Sequence, residues 1–140
     1  MTDVELLQRL AALMGWEVIE RPINRRLHYD FSGPHVFMEI DGTFWRGADA
    51  RGSCVIPWRP LHDMNDAWMV VEKMQKEGYD YEIGSCIYSD EDGNPVEGHS
   101  VEFMRGLLDP YEGTHKESYI AYAPTPARAI CLAALPKEGG

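Results

Sequence analysis

The chain has 140 residues and a formal net charge of −10, with 23 acids against 13 bases. That length predicts one domain with a core large enough to need no staple, and an apolar content of 44% excludes a disordered chain. The acid excess argues against direct nucleic-acid binding, which needs Lys and Arg clustered on one face.

The first helix is predicted near residues 3–14. Thr2 and Glu5 have capping-box spacing, and Val4, Leu6, Leu7, Leu10, Ala11 and Met14 recur at helical intervals. Gly15 supplies the stop, and Trp16–Glu20 reads as a short strand or extended exit. Residues 21–58 are the least regular part, an irregular insertion or β-ribbon with a small basic cluster at Arg21, Arg25 and Arg26. Within it, His28–Phe31 and His35–Ile40 look extended, and Asp41-Gly42 is a hairpin signal ahead of a returning strand at Phe44–Gly47.

A second helix is predicted near 64–77. Asp63 is its N-cap, Asp66 sits in its first turn, and Met64, Ala67, Trp68, Val71 and Met74 line one face. Gly78 ends it. Three strands follow, over Tyr79–Tyr88, Val96–Phe103 and Ser118–Ala123, the first two joined by the acidic turn Asp90–Pro95. The last helix, near 126–135, opens with Thr125 as N-cap and Pro126 at a position where a missing N–H is harmless. It is apolar on nearly every side apart from Arg128, so it is expected to be buried. The order predicts an α+β fold, an α/β/α sandwich on an antiparallel β-sheet.

No apolar run approaches 18 residues, and the first residues lack the basic flank and apolar stretch of a signal peptide. A cytoplasmic protein that avoids membranes is therefore expected. The cysteines, Cys54, Cys86 and Cys131, are odd in number and lack C-x-x-C spacing, which predicts reduced thiols, with Cys131 acting as a small hydrophobe. The histidines at 28, 35, 62, 99 and 115 share no ligand spacing, and Asp90, Glu91 and Asp92 lack the ligand pattern of a calcium loop. No metal, cofactor or catalytic residue is expected. A Cys54–His62–Asp63 set is disfavoured because sequence neighbours rarely meet in triad geometry.

The middle of the chain concentrates Trp45, Arg46, Arg51, Trp58 and Arg59, the pairing of flat rings and guanidinium groups that holds planar anions. These five are the candidate ligand-binding residues. The competing account makes the tryptophans sheet–helix filler and the arginines their solvated rim. Trp16 and Trp68 follow apolar faces and are expected in the core.

Three segments together resemble a family of small phage and prophage proteins described as the phage ABA-sandwich domain. They are the opening helix running into Met14-Gly15-Trp16, the Trp58-Arg59-Pro60 segment followed by the helix around Asp66–Met74, and the closing stretch Thr125–Leu135. The resemblance implies a phage or prophage origin and the sandwich fold, and it brings no catalytic residues. It leads to the expectation of a phage-encoded, non-catalytic binding protein with an anti-defence role, working in the host cell cytoplasm by capturing a small, anionic, nucleotide-like ligand. The alternatives are an acidic inhibitor that blocks a host defence protein, or a phage protein of structural role. Self-association into a homo-oligomer is compatible with each.

Overall fold

A computed structural model of the chain describes residues 1–22, 35–47, 55–109 and 111–139, with the side chains of 109 and 137–139 excepted. The expected strand over His28–Phe31 and the residues Arg25, Arg26, Arg51 and Cys54 lie outside the described residues. The fold is α+β. Contacts divide the chain into two compact units, Met1–Arg59 and Pro60–Gly140.

In the first unit, α1 (Asp3–Leu13) starts where the Thr2 hydroxyl accepts from the Glu5 N–H at 3.2 Å. It stops where Trp16 N–H returns to Ala11 O at 2.8 Å. Four short strands follow: β1 (Glu17–Glu20), β2 (His35–Met38), β3 (Phe44–Gly47) and β4 (Val55–Pro57), lying side by side in chain order. The sheet is mixed. β2 and β3 pair antiparallel, as the hairpin signal predicts, and β4 adds antiparallel to β3 without a sequence signal of its own, but β1 runs parallel to β2, with Glu17 opposite His35 and Val18 opposite Val36. A parallel neighbour cannot be reached through a tight turn and needs a longer connection than a hairpin.

The Asp41-Gly42 hairpin forms as expected. The Asp41 carboxylate accepts from Thr43 N–H at 2.9 Å, and Gly42 N–H donates to Glu39 O. Gly42 has φ of +90° and a Cβ there would lie 2.8 Å from the Val4 side chain of α1, so only glycine closes this turn against the helix. Both faces of β2 and β3 are buried. Phe37 and Trp45 pack with Ile19 and Val55 on one side, while Val36, Met38 and Phe44 are buried on the other.

In the second unit, α2 (Met64–Lys76) is capped by Asp63, whose carboxylate accepts from Asn65 N–H at 2.8 Å. Strands β5 (Asp80–Ser89), β6 (Pro95–Asp109) and β7 (Thr114–Ala123) form an antiparallel meander in chain order. The closing helix α3 (Pro126–Gly139) is capped by the Thr125 hydroxyl, which accepts from Arg128 N–H, and it runs on past Pro136. As its composition requires, Ala129, Ile130, Cys131, Ala133 and Ala134 are fully buried. The α3 helix lies on β6 and β7 and against α2, and α2 reaches β5.

Trp68 departs from expectation. The α2 stripe buries Ala67, Val71 and Met74, but Trp68 flanks it, is 37% exposed, and meets Tyr81 edge-on at 5.9 Å. Trp16 is half-buried, its ring set at 69° to that of Trp58 with centroids 5.1 Å apart.

Candidate functional site

Side chains of a strand alternate between faces, so the register sorts the meander of the second unit into two surfaces. Val101, Phe103 and Ala123 share the face that α2 and α3 cover, and all three are buried. The opposite face carries no helix from this unit. Along it run Glu82, Gly84, Cys86 and Tyr88 of β5, Gly98, Ser100 and Glu102 of β6, and Ser118, Ile120 and Tyr122 of β7. Ile120 is 52% exposed and Tyr122 47%, so the edge strand β7 leaves large apolar side chains open on this face.

This outward face has an apolar end and an acidic end. Tyr88 and Tyr122 stack with centroids 5.8 Å apart across the floor left by Gly98. Gly98 is required there, because a Cβ would sit 2.5 Å from Ala123 O and 2.7 Å from the Tyr88 ring. At the other end Glu82 and Glu102 are direct cross-strand partners. Like charges placed opposite one another destabilise a sheet. The Glu102 carboxylate accepts from the Ser118 hydroxyl at 2.6 Å, and Glu82 has no hydrogen bond or ion pair among the described residues. Between the two ends, Gly84 faces Ser100 in register and leaves a shallow trough of about 310 Å³ bounded by Glu82, Glu102 and Ile120. Unlike Gly98, Gly84 is not needed by the packing, since a Cβ there would rest 3.7 Å from the Ser100 hydroxyl, an ordinary contact.

The sheet that displays this face is fixed from behind. Arg105 and Glu117 pair across β6 and β7. The Arg105 guanidinium also donates to Glu77 O at the end of α2, 3.0 Å away, and lies 4.5 Å over the Tyr79 ring. The Tyr79 hydroxyl donates to Glu117 at 2.6 Å. That bond and the guanidinium hold the Glu117 carboxyl at about 2, well below the ordinary 4.5. Burial, reinforced by the same carboxylate, pushes the Tyr79 phenol up. Beyond β5 the β6–β7 ribbon continues to a tip with Leu107, Leu108 and Tyr111 exposed.

The five sequence-predicted ligand residues fall elsewhere. Trp45 is 7% exposed, its strand position opposite Phe37 and Pro57, and Trp58 is fully buried between Trp16 and Phe44. Both rings are core, and their faces are occupied by protein. The half-buried Arg46 donates to its neighbour Gly47 O at 3.0 Å. Arg59 is exposed, and Arg51 lies outside the described residues. The acidic turn is partly structural too, because the Asp90 carboxylate accepts from the N–H groups of Asp92 and Asn94.

Two larger clefts, each about 550 Å³, lie in separate units. One in the first unit combines Val4, Met38 and Ile40 with Arg21, Glu39 and Asp41. The other, on the helix side of the meander, holds Ser85 opposite His99 in register, with Glu97 two residues along. No hydrogen bond joins these three among the described residues. Cys86 is a half-buried free thiol. Cys131 is inert, its thiol donating to Pro60 O and pushed up to about 12 by burial. Among the described residues no three His, Cys, Asp or Glu gather as metal ligands, and no helix is long and apolar enough to cross a membrane.

Comparison of the chain with protein-family models, curated proteins and solved structures returned no match. The resemblance to the phage ABA-sandwich proteins rests on its three motifs alone.

Proposed function

We propose that this protein acts by occupancy, as a non-catalytic binding module whose outward sheet face in the second unit covers a site on another protein. The setting we propose combines the phage origin that the resemblance implies with inhibition of a host defence protein. The observation that carries the reading is the part of the β5–β7 face beyond the buried Met104 that no helix of this unit covers among the described residues. It places exposed Ile120 and Tyr122 beside Glu82 and Glu102, on strands whose base is clamped by Arg105, Glu117 and Tyr79. Rigid, part-apolar faces of this kind are how proteins recognise one another. Capture of a planar anionic ligand has less support, because Trp45 and Trp58 are committed to the core.

The test is affinity capture from host cells with the intact chain and with an Ile120→Ser/Tyr122→Ser double variant of unchanged melting temperature. A host protein bound in fixed ratio by the native chain and lost by the variant is the expected result. A partner retained equally by both would place the binding surface elsewhere, and specific turnover of a substrate by the purified protein would end the occupancy reading.

A further inference from the structure

Resting on that reading, we infer that the occupant of the outward face is an amphipathic helix of another protein that sets an arginine beside an apolar side chain. Two features of this face are unexplained by folding. Glu82 and Glu102 stand opposite one another although their charges repel, and Gly84 lacks a side chain that its surroundings would accept. Glycine within a strand weakens it and often marks a close approach by another chain. A cationic group between the two carboxylates turns the repulsion into a charge-assisted bridge. The trough at Gly84 and Ser100 lets that chain come down onto the sheet.

The charge balance selects the sign of the partner. Lys116, at the start of β7, is the one base on this face among the described residues, against Glu82, Glu102 and Asp80 at its acidic end. Arginine fits better than lysine because its planar fork can engage two carboxylate groups at once. The spacing selects the helix. Glu102 and Ile120 are direct cross-strand partners, so the cation seat and the apolar seat lie roughly 5 Å apart. Helix neighbours at i and i+4 are separated by about 5–6 Å, whereas same-side residues of an extended segment are nearly 7 Å apart. The inner face of this sheet already accepts a helix, α3.

The probes are fluorescein-labelled, alanine-based helical peptides measured by anisotropy against the 140-residue chain. One carries Arg and Leu at i and i+4, a second replaces Arg by Gln, and a third replaces Leu by Ser. The Arg–Leu peptide should bind about tenfold more tightly than either control, and Glu82→Gln/Glu102→Gln should erase that margin while melting temperature stays unchanged. Equal binding of the Arg–Leu and Arg–Ser peptides would mean unspecific charge attraction and overturn the inference. If Arg–Leu binding survives Glu82→Gln/Glu102→Gln but is lost in Ile120→Ser/Tyr122→Ser, the face docks partners but not by this chemistry. Binding indifferent to both double variants would remove the docking reading as well. A homodimer in sedimentation that dissociates in Glu82→Gln/Glu102→Gln would assign the face to a second copy, against the inference.

Discussion

Glu117 shows how one carboxylate can tie several segments together. Its oxygens accept from Tyr79 and Tyr119 and pair with Arg105, and Arg105 in turn donates to the Glu77 carbonyl that caps α2. Its folded-state value of about 2 lies below the ordinary 4.5, so its contribution is complete above pH 4.5 and is lost as pH falls toward 2. The melting-temperature difference between the native chain and Glu117→Gln should therefore be largest near neutrality and shrink through that acid window. A gap that stays constant down to pH 2 would mean the carboxylate is not held in this way. The tryptophans give a second expectation at this scale. Trp58→Ala should cost roughly 3–5 kcal/mol, the range for emptying a large aromatic site, because Trp58 is fully buried. Chemical denaturation measures it. A stable Trp58→Ala protein would return Trp58 to the list of ligand contacts. In the sequence, a tryptophan next to an arginine looks the same whether its ring is filled against Phe44 and Trp16 or open to a ligand. Only the register of β3 and the return of the chain at Trp58 separate the two cases.

At the scale of elements, caps and stripes were readable and lateral pairing was not. Thr2, Asp63 and Thr125 start their helices as their chemistry requires, and the small side chains of α3 are buried as their pattern demands. Ala133→Asp would bury an uncompensated charge in that helix and should destabilise by roughly 3 kcal/mol or more. An unchanged denaturation midpoint would contradict the burial of α3. The parallel neighbour of β1 left no local trace, because alternation shows which face a residue takes and not which strand lies beside it. The outward face was missed for the same reason: Glu82 and Glu102 are twenty residues apart in sequence, and only the β5–β6 register makes them opposite. Two glycines of this meander should behave in contrary ways. Gly98→Ala forces a Cβ onto Ala123 O and the Tyr88 ring and should cost about 1–3 kcal/mol, as overpacking does. Gly84→Ala has room and should be neutral or stabilising by up to about 1 kcal/mol. Thermal denaturation of the pair tests whether the trough is a requirement of folding.

Across the whole molecule, the formal charge of −10 is spread over loops and strands, and its kinetic effect belongs to encounter with a partner. Asp90 is best left intact in a test of that effect, because it latches the β5–β6 turn. Glu91→Gln/Asp92→Asn keeps the latch and should slow association with a basic partner at low salt, with little change in dissociation. Stopped-flow measurement at two ionic strengths reads this directly, and an unchanged association rate at low salt would show that the turn lies outside the encounter surface.

The pairing of β1 with β2 also has a consequence in time. The meander of the second unit assembles from hairpins between consecutive strands, whereas β1 and β2, as parallel neighbours, cannot pair through a hairpin. Non-local parallel pairing is intrinsically slow to form. Trp16, Trp45 and Trp58 all belong to the first unit, and Trp68 alone belongs to the second. In a Trp68→Phe protein, tryptophan fluorescence should therefore recover more slowly on refolding than the far-ultraviolet signal of the sheet and helices. The late arrival would be the first unit, leaving β1 and β2 of the newly made chain open to proteases longest.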